Sequence, residues 1–487
     1  MAADRAGDRP AAEPLAALAA VAAESGVESW LVGGAVRDRL LGRSTLDLDA
    51  VVAGDPAALA REVGRRAGGH AFELSEAFGG WRVTARDHRW QLDVLGLGGA
   101  TIEEDLARRD LTINAIAEPL AAGEAGSAID PFGGIGDLRA GRLRMVSDRS
   151  FSEDPLRVLR LARFAAQLGF AVDPPTLARA RASAAGLSAV AGERTFVELR
   201  GVVCAPEALA GLDLMDELGA TRVVLPELDA LRGVEQSRYH HLDVSGHTRA
   251  TLAQTIALVE EPSRLAIGEQ ATEALTAALA RPLANELTHG QALRFGALLH
   301  DIAKSRTRAV NEEGRITFIG HDELGAEMSR EILARLRVSE RLQAYVAALT
   351  RSHLRLGFLV HRAPLSRREV YDYLIACAPV AVDVTVLGVA DRLATRGANA
   401  ERAIEAHVRL AAEVLPAALE FEADPPRPPL RGDELAAALD MRPGPRLGEL
   451  LAELQAATYA GEISGGEDAV AYARRLLDGE PSRSQTR

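Results

Sequence analysis

The stretch Leu31-Val32-Gly33-Gly34-Ala35-Val36-Arg37-Asp38-Arg39-Leu40-Leu41-Gly42, followed by Asp47-Leu48-Asp49-Ala50-Val51-Val52, decides the fold. An apolar run, Trp30 to Val32, leads into two glycines and then a segment with helical spacing. That order predicts a strand, a tight turn and a helix N-terminus. Glycines let the backbone approach a phosphate, and the free N–H groups of a first helical turn attract one. A second strand then carries Asp47 and Asp49, which point to the same face because they are two residues apart. Two carboxylates beside a phosphate-holding turn suit Mg²⁺, a hard cation held by one or two carboxylates plus substrate phosphates. No G-x-x-x-x-G-K-[ST] pattern occurs, so this is not a P-loop.

Working outward, further strands are expected at Trp81–Ala85 and Trp90–Leu95, with helices between, such as Pro56–Ala67. This is an α/β pattern. Asp93, in the last of these strands, is a candidate third carboxylate or a plain strand-end Asp. The chain has 487 residues, so several domains are expected. A hydrophobic content of 47% is enough for real cores. With 56 basic against 69 acidic residues and a net charge of −13, the chain is no bulk polyanion coater, and nucleic acid must meet local basic patches. Lys304 is the only lysine. Two cysteines, Cys204 and Cys377, give no disulfide framework, which fits a reduced, cytoplasmic setting. Pro14 to Ala23 reads as a first helix, not a signal peptide, and no apolar run is long enough to span a bilayer. No membrane association and no protein partner are implied.

The next segment, Glu104 to Ala117, contains Arg108-Arg109-Asp110-Leu111-Thr112-Ile113-Asn114-Ala115. After it come the bend Asp130-Pro131-Phe132-Gly133-Gly134 with Asp137, and then Glu153-Asp154-Pro155-Leu156-Arg157-Val158-Leu159-Arg160-Leu161-Ala162-Arg163. There Asp154 is placed as an N-cap with Pro155 at the first helical position. Asp154 and Arg157, three apart, can meet on one helix face. A cap and a helical ion pair would explain both.

As an ordered set, these motifs resemble the class II family of CCA-adding tRNA nucleotidyltransferases and bacterial poly(A) polymerases. The resemblance implies an α/β nucleotidyltransferase head, a small mixed sheet with helices, followed by all-α neck, HD and tail domains. It implies that Asp47 and Asp49 bind Mg²⁺ and are catalytic. Nucleotide contacts are implied for Gly33, Gly34, Arg37, Arg109, Asp110, Asn114, Asp154, Arg157, Arg160 and Arg163. Among these, Arg109 would contact the triphosphate and Asp110 the ribose 2′-OH. Asp154 and Arg157 would read the base: cytosine and adenine both offer an amino donor beside a ring-nitrogen acceptor, which an Asp/Arg pair matches. Guanine and uracil present the reverse and leave both groups unpaired. A further match is Gly192-Glu193-Arg194 with Glu198-Leu199, on the helix the family places behind the nucleotide.

Eight of the eleven histidines lie between 240 and 361. His247, then His300-Asp301 in an apolar helix, then Asp391, resembles the metal pattern of HD phosphohydrolases. Imidazoles and carboxylates on facing helices hold one or two transition-metal ions (Mn, Ni, Fe or Co) that activate water for phosphoester hydrolysis. His321 and His353 extend the set toward a second ion. His240, His241 and His361 are read as packing or surface residues. The C-terminal Gly432-Asp433-Glu434-Leu435 and Pro443-Gly444-Pro445 with Gly448 resemble the body and tail that grip tRNA.

The expected domains are a disordered tail 1–13, head 14–145, helical neck 146–232, HD domain 233–400 and body/tail 401–487. The expected function is template-independent addition of C and A from CTP and ATP to the tRNA 3′ end, with a second phosphohydrolase activity. Between Asp93 and Arg108 the chain is short, whereas many CCA-adding relatives carry a longer loop that helps the switch from C to A. CC-only addition is therefore open. So are poly(A) polymerase activity and an HD phosphodiesterase or phosphatase with a tRNA-holding head. The intact Asp47 and Asp49 argue against a dead head.

Overall fold

The computed structural model describes residues 9–75, 79–120, 127–237, 239–397 and 400–479. The chain divides into two compact units, Met1–Val224 and Leu225–Arg487.

The first unit contains a six-stranded sheet: β1 Ser29–Val32, β2 Asp47–Val52, β3 Gly69–Ser75, β4 Gly80–Ala85, β5 Gln91–Gly96 and β6 Ala117–Pro119. Their order is β3-β4-β5-β2-β1-β6. β2 and β5 run parallel, and the other neighbours are antiparallel, so the sheet is mixed. The four strands expected from sequence are present within a residue at each end. β3 and β6 were not expected. β6 has three residues, too few for a period of two to show.

Alternation along β2 builds the sheet's two faces. Leu48, Ala50 and Val52 are buried on one of them. Asp47, Asp49 and Val51 share the other, where Val51 packs with Trp30, Val32, Ile102 and Leu106. The helix Ile102–Ala107 thus covers the Val51 end of that face and leaves the two aspartates uncovered. Helix Pro56–Arg66 buries Leu59, Ala60 and Val63, and Asp55 caps it by accepting from the Ala57 N–H at 2.9 Å. The expected tail 1–13 needs correction. Residues 1–8 lie outside the described residues, but 9–13 open the helix Arg9–Glu24. Ala11, Ala12 and Glu13 are good helix formers, and Pro14 lies inside the helix.

After the sheet, helices Arg157–Leu168 and Gly192–Val203 complete the part of this unit that faces the aspartates. The second unit is helical apart from two short hairpins. Helix Ala400–Ala423 packs on helix Ala381–Ala394. Residues 430–477 enclose a smaller core around Leu435, Leu450, Leu454 and Tyr472. No single helix among the described residues is long and apolar enough to cross a membrane.

Candidate functional site

In the first unit the turn after β1 sets the geometry. Val32 pairs with Asp49 across the sheet, so Gly33 lies beside that carboxylate. Gly33 has φ +68°, and a Cβ there would stand 2.8 Å from Arg109 Nη1 and 3.6 Å from Asp49 Oδ2. Only glycine fits both the conformation and the space. Helix Gly34–Leu40 starts here, as expected.

On the neighbouring parallel strand Asp93 is in register with Asp49. Burial first, then the Asp93 and Asp47 carboxylates, raise the Asp49 carboxyl, while Arg109 and Arg160 oppose the rise. A buried carboxyl raised by neighbouring carboxylates is what a divalent cation relieves, so Asp49, with Asp47 on the same face of its strand, fits such an ion. Asp93 is otherwise engaged: Arg82 holds both of its oxygens at 2.7 and 2.8 Å.

Asp49 lines a cavity of about 920 Å³ together with Gly33, Gly34, Arg37, Arg109, Asp110, Asn114, Asp154, Arg157, Arg160 and Arg163. Asp47 is not among its lining residues. The other expected nucleotide residues therefore share one space. Asp110 is buried and accepts from its neighbour Leu111 N–H at 2.8 Å, Asn114 Nδ2 at 3.1 Å and Arg160 Nε at 2.7 Å. Burial raises its pKa, but the Arg160 charge and these donors outweigh that and hold it well below the usual carboxylate range. Arg37 donates to Asn114 Oδ1 at 2.8 Å and is forked onto Asp38. Arg37, Arg160 and Arg163 all lie over the Phe164 ring, at 5.0, 5.5 and 4.2 Å from its centroid. Arg163 is anchored by Glu198 on helix Gly192–Val203, so the Glu198 match has a visible use. Arg109 is held by Asp105 at 3.2 Å.

Asp154 behaves as the expected cap in part. It is extended, and its Oδ1 accepts from the Leu156 N–H at 3.2 Å, but the regular helix begins only at Arg157. Asp154 and Arg157 face the same cavity without pairing with each other. Arg194 donates to Asp154 Oδ2 at 2.8 Å. Arg157 donates to two carbonyls, Ser150 O at 3.0 Å and Arg108 O at 2.7 Å. In place of an ion pair at i, i+3, Asp154 and Arg157 thus have independent anchors.

The short connector after β5 is pinned rather than slack. Gly98 N–H donates to Asp105 Oδ1 at 3.1 Å, Ala100 N–H donates to Glu104 Oε2 at 2.7 Å, and Arg108 donates to the Gly98 carbonyl. The bend at 130–134 is likewise built. The Asp130 carboxylate accepts from the Gly134 and Ile135 N–H groups, and Asp137 joins Thr112 to Arg142 and Arg144.

The second unit brings six side chains from five helical segments to one point. His247 lies in the first turn of helix Val244–Glu260, capped by Asp243. His300 and Asp301 follow helix His289–Leu299, which begins with a Thr288/Gln291 capping box. His321 opens helix His321–Arg335, His353 ends helix Glu340–Ser352, and Asp391 lies in Ala381–Ala394. Asp301 stands at the centre. Its Oδ2 is 3.2 Å from His300 Nε2 and 3.7 Å from His247 Nε2, and its Oδ1 is 3.4 Å from His321 Nε2 and 3.7 Å from His353 Nε2. His247 Nε2 is 2.9 Å from Asp391 Oδ1.

Backbone carbonyls fix three of the rings by taking their Nδ1 protons: Ala297 O for His300, Phe318 O for His321 and Thr350 O for His353. The Nε2 lone pairs are thereby turned inward, the outer-shell arrangement of metal-ligating histidines. His300 Nε2, His321 Nε2 and both Asp301 oxygens are buried without a hydrogen bond. Buried polar atoms are rarely left so, and these converge as two ligand groups, His247-His300-Asp301 and Asp301-His321-His353, each of which could hold a metal ion. Burial and then the His300 charge lower His353 to about 4, so its ring is neutral near pH 7.

Lys304 Nζ lies 2.7 Å from Asp301 Oδ2 and donates to Gln236 Oε1 at 2.9 Å. A cavity of about 660 Å³ opens onto this cluster. His240, which sequence assigned to packing or surface, lines it and meets the His247 ring at 5.1 Å. Arg392 and His407 also line it. Their positions were invisible in the sequence because Arg392 follows a ligand without spacing of its own and His407 belongs to a later helix.

Known proteins agree with this layout. Residues 29–144 match the poly A polymerase head domain, 169–232 the probable RNA and SrmB-binding site of polymerase A, and 274–396 the HD domain. The A-adding tRNA nucleotidyltransferase of Deinococcus radiodurans is 36% identical over 457 residues, covering 93% of this chain and 96% of that protein. The CC-adding tRNA nucleotidyltransferase of Thermus thermophilus is 34% identical over 453 residues, covering 91% and 93%. The fold is shared with a solved CCA-adding enzyme in complex with ATP, with a TM-score of 0.65, 19% identity and 97% of this chain covered. With such identity over nearly its whole length, the chain belongs to the tRNA nucleotidyltransferase family.

Proposed function

We propose that the first unit adds C and A residues, from CTP and ATP and without a template, to the 3′ end of tRNA. The observation that carries this reading is the single cavity in which Asp49, the Gly33-Gly34 turn and the Asp154/Arg157 pair stand together. Asp47 and Asp49 would hold Mg²⁺, which would supply charge stabilisation at the α-phosphate and the departing pyrophosphate. Arg109 and Arg37, beside the glycine turn, hold the triphosphate, and Asp110 meets the ribose 2′-OH. Asp154 retains lone pairs beyond those used by Leu156 and Arg194, so it can accept from the base amine. Arg157, its orientation fixed by two carbonyls, keeps N–H groups for the ring nitrogen.

The pinned connector between Gly98 and Arg108 favours a second reading, addition of only part of the CCA end. Both relatives named above are partial adders by name, one of A and one of CC. Purified protein, tRNA lacking its 3′ end, and each labelled nucleoside triphosphate alone and together distinguish the readings. Incorporation of CMP and then AMP is expected for full addition, and CMP or AMP alone for a partial enzyme. Incorporation of UMP or GMP at equal rates would overturn the proposal.

The second unit's cluster supports a phosphohydrolase reading, with His247, His300, Asp301 and Asp391 holding one transition-metal ion (Mn, Ni, Fe or Co). Asp301, His321 and His353 would hold a second. The absence of a disulfide at Cys204 and Cys377 fits the cytoplasm as the place of work.

A further inference from the structure

The sheet of the first unit carries its side-chain rows beyond the aspartates. In one row Asp49 on β2 stands beside Asp93 on β5, Asp93 beside Arg82 on β4, and Arg82 beside Phe72 on β3. Cross-strand partners point to one face, so Phe72 shares the face of Asp49. Three strand spacings separate them, roughly 14 Å. The neighbouring row runs from Asp47 through Gln91 and Thr84 to His70.

β3 is an edge strand. The opposite face of the hairpin is closed by helix Pro56–Arg66, whose Gly64 lies against the Ala71 backbone and the Val83 side chain. On the aspartate face the edge is open. Phe72 is 42% exposed, and His70 is exposed beside it. Their ring centroids are 6.3 Å apart, with the planes at 28°. Exposed aromatic rings lying nearly parallel are a platform for a planar ligand. Arg82, between this platform and Asp93, spends Nε and Nη2 on that carboxylate, which leaves Nη1 to meet a phosphate. An added protein strand fits this edge poorly, because the bulge between Glu73 and Ser75 interrupts its ladder.

We propose that Phe72 and His70 form a stacking platform for the unpaired nucleotides that precede the 3′ end of the RNA being extended. The 3′ end lies at Asp47 and Asp49, and the strand leaves along the rows toward the sheet edge. Every base has a π-face, so the platform holds the strand without choosing its sequence. This rests on the nucleotide-addition reading of the first unit.

The probe is tRNA lacking its 3′ end, with 2-aminopurine, whose fluorescence falls on stacking, at each of its last few positions in turn. Full-length wild type is expected to quench at least one position. F72A should lose at least half of that quenching, F72W should restore it, and H70A should lose part of it. In labelled nucleotide incorporation, F72A should raise KM for tRNA at least fivefold and leave KM for the nucleoside triphosphate unchanged. An abasic nucleotide at the quenched position should raise the wild-type KM as much, and add nothing in F72A. Melting temperature and sedimentation are followed in each variant, and H70A with the abasic tRNA carries the test should F72A unfold. Absence of quenching, an unchanged tRNA KM in F72A, or additive losses in F72A with the abasic tRNA would overturn the proposal. So would a change of oligomeric state in RNA-free F72A, which would make the edge a protein interface. Failure of wild type to incorporate any nucleotide would overturn the nucleotide-addition reading, since quenching is read without catalysis.

Discussion

Asp49 carries a charge that its surroundings oppose. Burial and two neighbouring carboxylates raise its pKa. An acid whose folded pKa exceeds its unfolded value costs stability once ionised, and that cost vanishes below the unfolded value, about pH 4. D49N should therefore melt a few degrees higher than wild type at pH 7 without Mg²⁺, by roughly 1 kcal/mol, with the gain disappearing near pH 4. The same variant should incorporate no nucleotide. Thermal scans at the two pH values, with a labelled CTP assay beside them, check both halves. At Asp154 the expected effect is on choice. D154A removes the acceptor that cytosine and adenine share, so kcat/KM for CTP and ATP should fall together by about ten- to a hundredfold, for a lost bond of roughly 1.5–3 kcal/mol. The CTP to UTP ratio should narrow. A cap residue alone would cost about 1 kcal/mol of stability and leave that ratio as it was.

At the scale of elements, the strand–turn–helix at 29–40 positions the groups proposed to hold the triphosphate. G33A puts a Cβ 2.8 Å from Arg109 Nη1 at a backbone φ of +68°. It should reduce kcat/KM at least tenfold for CTP and ATP alike, with metal content of the second unit unchanged. Elemental analysis and steady-state kinetics on one preparation measure both. This element was legible because glycine spacing, apolar strands and alternating aspartates each follow a short-range rule. The partners of Asp154 and Arg157 were not, since the choice between a helical ion pair and the distant partners Arg194 and Arg108 is made by tertiary packing. The five histidine- and aspartate-bearing segments were readable as ligands by residue type. His240 and His407 were not, because only the packed helices bring them to the cavity.

Across the whole molecule, phosphate chemistry is divided between two compact units, each with its own cavity and its own acidic centre. The first offers carboxylates on a sheet face, as hard Mg²⁺ prefers; the second offers imidazoles, as transition metals prefer. The central claim is that nucleotide addition belongs to the first alone. The direct measurement is incorporation of labelled CMP and AMP into tRNA lacking its 3′ end, with Mg²⁺, by the D47A/D49A protein and the H300A/D301A protein side by side. The account predicts no incorporation by the first and near wild-type incorporation by the second, which should have lost its transition metal. Retained incorporation in D47A/D49A, or its loss in a folded H300A/D301A protein, would contradict it.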